Sequence, residues 1–497
     1  MTKKLCLLNY IFLFAFLLFS SNLLSSDFRI KSMGQMKLII EDKDNQLNLY
    51  DFGANPAWLL KDQNRTWLRP FFTSEIVSGD FNRIYDPESS IDLNAFFEGV
   101  KIMDENQAFR GLVDYHNLSL NNLYQAIIRN PYADHPFRLA DNTTGNINYW
   151  GPNVSAEYSR NLYQQKLLMG ASLDYQIETG LKDYFPQSRT IYRYAGLKTG
   201  IAYFANDKLS FGTTFKYSHT QEFTECVPPS SNDPRSVIVM KFRGETVGSE
   251  RIGSMERFTK TAHYQLAVQS NYKPVNFLET ALSIQYNFEE LDATESRSKP
   301  VKDGTWQLDG YELHWKNRLR MPNLPFRLGF SFDRIYFNDW AKHPRYDILL
   351  GDDHFSENRV GFGFAVEPQT LPFVVGMEMH FCFENMDKKD YVSQIIANGD
   401  VTGREFKFGA EARFLRDWGL RAGYIYRDKE TNPVLLSFSK FLPNNHAHVF
   451  TCGLGLHQTS MESEIYAYLS RQKPDKNPTN LNRDSLGILF SIKFFMD

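Results

Sequence analysis

The residues of this chain best placed to do chemistry stand in alternating rows. From Phe373 to Phe383 the odd positions are Phe373, Val375, Met377, Met379, Phe381 and Phe383. The even positions are Val374, Gly376, Glu378, His380 and Cys382, with Glu384 next in the same row. A carboxylate beside an imidazole is the minimum of a general acid–base pair. On an extended strand, however, neighbours two apart stand about 7 Å from each other, and no serine is placed to complete a nucleophilic set. Lys407, Glu411 and Arg413 share a second row, Arg421 and Arg427 a third, and Arg327 lies in the polar row of another segment. Mixed charges facing one another more often form structural ion-pair ladders than reaction centres, and they set the field of any pore they line. His446 and His448 share a face, but two ligands do not close a metal site. Cys226, Cys382 and Cys452 remain beyond the first 26 residues, an odd and widely spaced set that makes neither a disulfide framework nor a metal knot. One pair could join in an oxidising compartment, and the spacing does not say which. Free thiols packed in a wall are the plainer reading. No catalytic set, metal or cofactor is expected, and the chain is not expected to be an enzyme. Arg327, Glu378, His380, Lys407, Glu411, Arg413, Arg421 and Arg427 are expected to line a lumen.

Rows of this kind require strands with two different faces. Leu324 to Phe332 sets Leu324, Phe326, Leu328, Phe330 and Phe332 against Arg327, Gly329 and Ser331, and Phe406 to Phe414 sets aromatics and alanines against Lys407, Gly409, Glu411 and Arg413. Leu278 to Phe288 alternates in the same way. A soluble sandwich also alternates, but these segments are about twice the five or six residues of a soluble strand. Their connections alternate too. Tight turns fall near Asp104, Gln164, Asp207, Pro274, Pro322, Thr370, Asp417 and Ser460; longer polar stretches run over Leu120 to Pro152, Glu222 to Arg257, Ala341 to Phe355 and Asn385 to Gly403. Short turns at one end and long loops at the other are the habit of outer-membrane barrels. The fold predicted is all-β: a closed antiparallel transmembrane β-barrel of 14–18 strands, eighteen by the tally of hairpins. Val154 to Leu162 and Thr66 to Ser78 are its weakest strands.

Composition agrees. The 497 residues are 15% aromatic and carry a formal net charge of -3, and the mean hydropathy is -0.42. A helical membrane protein of this size could not be so polar, because each span needs roughly 20 apolar residues; a barrel can, because only alternate residues meet lipid. Nothing forms a basic face for nucleic acid. Residues 1–26 read as a signal peptide: Lys3 and Lys4, an apolar run from Leu5 to Phe19, then small residues before Asp27. Residues 65–497 read as the barrel. A barrel this wide is not filled by its own wall, and 27–64, which does not alternate, reads as a hatch inside it. Gly53, Asn55, Pro56 and Ala57 are its candidate residues; a simple turn before the first strand is the alternative. The chain ends on Phe490, Ile492, Phe494 and Phe495 in a terminal amphipathic strand, expected to be the signal read by the barrel-insertion machinery.

The Asn55-Pro56-Ala57 triplet resembles the hatch motif of the long-chain fatty-acid transporter family of outer-membrane barrels. Leu420 to Tyr424, Asn432-Pro433, Leu442 to His446, Phe450 to Gly455 and Ile465 to Tyr468 are similar to that family's final strands. Asp141 to Gly145 looks more like an uncharacterised group of Bacteroidota outer-membrane barrel proteins that carry the same triplet. The first resemblance implies fourteen strands and passage of hydrophobic small molecules through a lateral or gated opening. Expected partners are the lipid bilayer, the insertion machinery and a small-molecule solute, with no nucleic acid. The function expected is passive transport of small, possibly hydrophobic, solutes across the outer membrane. The alternative is a structural or surface-interaction barrel that displays its external loops or anchors a partner, with Glu222 to Arg257 as the working surface.

Overall fold

The computed structural model describes residues 31–39, 54–62, 65–125, 127–184, 187–227, 238–246, 248–252, 255–296, 299–321, 324–368, 372–414, 417–476 and 481–496. The proposed signal peptide and Gly53 lie outside these residues. Twenty-one strands follow in chain order: β1 (Thr66–Gly79), β2 (Ser89–Asp104), β3 (Gln107–Tyr124), β4 (Leu139–Asp141), β5 (Thr144–Tyr163), β6 (Leu167–Lys182), β7 (Gln187–Asn206), β8 (Leu209–Val227), β9 (Ile238–Phe242), β10 (Gly248–Ile252), β11 (Met255–Val275), β12 (Leu278–Glu295), β13 (Val301–Arg320), β14 (Phe326–Lys342), β15 (Leu349–Val366), β16 (Phe373–Asp390), β17 (Ile395–Phe414), β18 (Trp418–Thr431), β19 (Asn445–His457), β20 (Met461–Pro474) and β21 (Arg483–Met496).

Eighteen of them form one antiparallel ring, closed where β1 pairs with β21. The other three, β4, β9 and β10, make a small sheet within the loops. Eighteen strands depart from the fourteen that the family resemblance implies. Both weak segments are paired strands, β1 and the second half of β5.

The ring sorts its faces as alternation demands. Leu173, Leu266, Val268, Phe97, Leu420 and Phe450 are each more than half exposed on the outside. That much outward apolar surface, repeated around the ring, is far beyond the few hundred Å² a soluble monomer tolerates. The outward surface is a lipid-facing band, and the chain is an outer-membrane barrel. None of the described helices is long and apolar enough to cross a membrane; the strands cross.

The barrel strands run from 13 to 21 residues, whereas about 9–11 suffice to span a bilayer. The surplus stands above the membrane at the long-loop end. Asn385 to Asp390 and Ile395 to Gly403, expected as loop, are therefore paired strand joined through 391–394. Leu120 and Thr144 to Pro152 are likewise strand. One face of these tips packs under loops, as Met386, Ala397 and Val401 do against Leu435 and Phe438, and the other needs no lipid-facing apolar row, so their polarity reads as loop.

Candidate functional site

Two described pieces of chain before β1 lie inside the ring, near the short-turn end, on separate arcs of the wall. The later piece is built around Asn55. Asn55 precedes a 3-10 turn, Pro56–Trp58, which continues into the helical turn Leu59–Asp62. Its side-chain Oδ1 accepts the Ala57 N–H at 3.0 Å, the bond of a helix N-cap, with Pro56 at the first helical position where its missing N–H costs nothing. That leaves the Nδ2 group for the wall. It donates to the carbonyls of Ile201 and Thr213, both at 3.2 Å, and to Gln269 Oε1 at 2.9 Å. Ser159 Oγ donates to the Ala57 carbonyl at 3.0 Å. Asn55, Ala57 and Trp58 are buried. Gly170, Gly200 and Gly212, one each on β6, β7 and β8, make this approach possible: any Cβ there would strike the backbone of Pro56 and Ala57 or the Asn55 side chain. Leu59 continues the contact into a cluster with Trp67, Val100 and Ala108, against which Phe495 packs.

The earlier piece, 31–39, crosses the inner faces of β13 to β19. Here the wall supplies the side chains and the piece supplies its backbone. Glu378 Oε1 accepts the N–H groups of Leu38 at 2.6 Å and Ile39 at 3.1 Å. Thr451 Oγ1 donates to the Ser32 carbonyl at 2.7 Å and accepts the Gly34 N–H at 3.1 Å. Lys407 reaches the Gln35 carbonyl at 3.3 Å, and Arg318 the Leu38 carbonyl at 3.4 Å. Met33, Met36 and Ile39 form a buried cluster with Ala365 and Val374. Gly329, Gly363, Gly376, Gly409, Gly423 and Gly453, one on each of six successive strands, floor the path, and a Cβ on each would press on the piece. Gly329 faces Gly363 directly, and Gly376, Gly409 and Gly423 form a cross-strand file.

The charged rows resolve into networks beneath and beside this piece. Arg421, 1% exposed, bridges Glu411 at 3.1 Å and Glu464, and Ser32 Oγ joins at Glu464, 3.4 Å away. Arg413 reaches Glu411 at 2.6 Å but is half exposed toward the rim. Arg427 pairs with Glu405 and donates to Gln35 Oε1 at 3.2 Å. Arg327 is buried against Glu367. His380 and Glu378, expected about a strand repeat apart, meet at their side-chain ends, 3.1 Å apart. His446 and His448 serve separate partners, Asp475 at 3.0 Å and the Tyr424 hydroxyl at 2.7 Å. Among the described residues one set of potential metal donors converges, Glu357, Cys382 and Glu384, and Glu357 is already paired with Arg359 at 2.7 Å. The three cysteines are free thiols.

The outer end of the lumen is narrowed by loops. Phe137 packs on the inward-facing Leu291, Ala293, Trp306 and Ala341. Arg138 donates to the Gly244 and Glu245 carbonyls at 3.1 and 2.9 Å and to Ser439 at 3.2 Å, tying three loops together. Lys182 and Asp141, both fully buried, pin β4 to the wall. A cavity of about 70 Å³ remains among Asp134, His135, Glu245, Asp339, Lys388 and Phe438, room for a few waters or a very small solute. Burial, then the Arg257 charge, pushes His135 down to about 4. Burial opposes ionisation of Asp134, but Lys440 and Lys388 outweigh it and hold that carboxyl below its usual range. Of the described part of Glu222 to Arg257, expected as a display surface, the two ends are wall strand in β8 and β11, β9 pairs with β4 and buries Val239, Lys241 and Phe242, and β10 pairs with β9 with Gly248 to Glu250 exposed.

Residues 32–39 fall within the stretch 27–64 expected as a hatch, but nothing in their own sequence marks them as Asn55, Pro56 and Ala57 are marked. The signal that could have found them is the inward glycine in each of β14 to β19, at similar distances from the short turns.

Residues 56–335 match the family described as "Family of unknown function (DUF6850)". None of the curated proteins matches the chain in sequence. Solved structures with a similar chain path include a FadL homologue of Pseudomonas aeruginosa (12% identity, 96% of this chain and 98% of that one, TM-score 0.38). The toluene transporter TbuX of Ralstonia pickettii matches at 10% identity over 94% and 98%, TM-score 0.37. The ferric yersiniabactin uptake receptor FyuA of Yersinia pestis matches at 9% over 87% and 80%, TM-score 0.49.

Proposed function

We propose that this chain, which belongs to the DUF6850 family of unknown function, is a passive transport barrel of the outer membrane whose own N-terminal stretch is a hatch. The observation that carries the reading is the pair of glycine floors. Nine inward glycines, six under 31–39 and three under 54–58, clear the wall where that stretch lies. Each costs strand stability, because glycine packs nothing and is entropically expensive in a strand. A wall that accepts this cost at two places is shaped to seat a closure. The cargo is a small solute. The walls between hatch and outer loops carry His116 between Asp92 and Glu178, and His314 between Asp333 and Glu312. Such walls suit polar molecules at least as well as the hydrophobic ones implied by the family resemblance.

Planar-bilayer recording tests this. The wild-type chain should be nearly silent, and variants that unseat the hatch should open steps of conductance. Silence in all of them sinks the transport reading.

One observation favours a surface-interaction role. Tyr346, Ile348 and Ile396 are 69%, 57% and 67% exposed at neighbouring loop-end tips. Under that reading, changing all three to serine abolishes capture of a partner while conductance stays absent throughout.

A further inference from the structure

The piece 32–39 is held the way a receptor holds a peptide ligand. The wall's polar contacts described above fall mainly on its backbone: the N–H groups of Gly34, Leu38 and Ile39, and the carbonyls of Ser32, Gln35 and Leu38. Its Lys31 and Lys37 side chains are exposed. What the wall reads beyond backbone is four buried apolar side chains, Met33, Met36, Leu38 and Ile39, with the Ser32 hydroxyl at Glu464 and the Gln35 amide at Arg427 as lesser contacts. It also reads one glycine. Gly34 has φ +75°, and a Cβ there would lie 2.8 Å from the Phe408 carbonyl oxygen. Backbone bonds for affinity and spaced pockets for specificity are the general logic of linear-peptide recognition.

The groove does not need its occupant to be complete. Glu378 keeps His380, Lys407 keeps Glu405 at 2.9 Å, and Arg421 keeps Glu411 and Glu464 without any contribution from 32–39. The pockets are floored by strand glycines whose positions are set by the ring's register. A preorganised groove spares a ligand the cost of ordering the wall.

We infer that the arc of β13 to β19 is a peptide-binding groove for short linear peptides of the pattern Met-Gly-x-Met-x-Leu-Ile, and that the chain's own segment is one exchangeable occupant. The inference rests on the hatch reading for its regulatory meaning, but the groove's affinity for peptide stands apart from transport. In the intact chain the tethered segment competes at an effective concentration on the order of millimolar. A free peptide therefore gains access only when that segment is weakened or withdrawn, and a peptide arriving from the short-turn side would then take its place and hold the segment out.

The test uses the full-length chain in detergent and a fluorescent peptide of residues 31–39. In a Met33→Asp/Met36→Asp chain the internal segment is repelled from its pockets and the groove is vacant. The peptide should bind this variant saturably and at least tenfold more tightly than wild type. A Gly34→Ala peptide should bind at least tenfold more weakly, and so should the parent peptide when Glu378→Ala is added to the variant. Folding is read by heat-modifiable gel migration. If the double variant fails to fold, the Gly34→Ala chain, whose one added methyl group unseats the same segment, is the second background. No saturable binding to a folded vacant barrel, or equal binding of a scrambled peptide, overturns the groove. Conductance recorded on the same variant separates the two ideas. Peptide binding without conductance leaves the groove and removes transport, whereas conductance without peptide binding does the reverse.

Discussion

The two stations at which the N-terminal stretch meets the wall achieve the same closeness by opposite means. At the Asn55 station a side chain of the stretch bonds to backbone carbonyls of the wall, and all the partners are neutral. At the 32–39 station side chains of the wall bond to the backbone of the stretch, and Glu378, Lys407 and Arg318 are charged. The difference assigns roles. A neutral side chain clasped by main-chain oxygens is insensitive to salt and pH and behaves as a fixed pin. A backbone held by ionised groups is weakened by salt, so salt can release it first. The hatch reading thus becomes specific: the Asn55 end is the hinge and the 32–39 end the latch.

The strongest way to break this contrast is to remove the charge beneath the latch. Arg421→Met leaves Glu411 and Glu464 buried without their shared cation, which typically costs about 3–5 kcal/mol. Thermal unfolding should shift accordingly, and added protease should cut within 31–39 while sparing 54–62. Equal release of both pieces would show that they are one rigid plug. Next in size is Asn55→Ala. It deletes two N–H donors shared among three wall acceptors, and the cap acceptor, each bond worth about 1 kcal/mol net, while Gln269 keeps Thr214 at 3.1 Å. The hinge should loosen by about 2–3 kcal/mol and steady conductance should appear, whereas a latch defect should give brief openings. Glu378→Gln is gentler. It keeps an oxygen to accept the Leu38 and Ile39 N–H groups and loses the charge and the second oxygen that meets His380, about 1 kcal/mol at the latch. Brief openings should become more frequent, and the rise should shrink in high salt relative to wild type.

The same reversal explains what the sequence could disclose. The ring was legible because lipid outside and water inside impose a period of two on every strand, and because Pro274, Asp207 and Asp417 mark the short turns. Asn55 was legible because at the hinge the stretch does the reading, so its chemistry is written in its own residues as Asn-Pro-Ala. The latch was less so, because its polar contacts fall mainly on the backbone of 32–39, and its few apolar residues and one glycine mean nothing until the groove is known; the rest of the signature lies in Glu378, Thr451 and six glycines hundreds of residues away. His380 shows a smaller gap of the same kind. Strand rise places its Cα a repeat from Glu378, and only a side-chain rotamer brings the groups to 3.1 Å. The inward fold of the outer loops was hidden too, since Phe137 finds Trp306 and Ala341 through tertiary packing alone.

The smallest predicted effect extends the comparison to the outer end, where closure depends on neither hinge nor latch. His135 sits among the interlocked loops at about 4, lowered by burial and then by Arg257, with Asp134 opposing and Arg138 adding to the shift. An imidazole freed into water titrates near 6.5. The opened loop therefore binds a proton more readily than the closed one, and acid favours opening. The stabilisation that neutral His135 contributes is whole above about 6.5, shrinks as the pH falls, and is gone by about 4. Limited proteolysis within 127–143 should accelerate modestly across that window, and His135→Gln, which cannot take up the proton, should flatten the profile. Cleavage at the Asn55 hinge should not change over the same range, since nothing that holds it ionises. If both ends loosen together on acidification, the charge on His135 is not the cause, and the barrel as a whole is yielding.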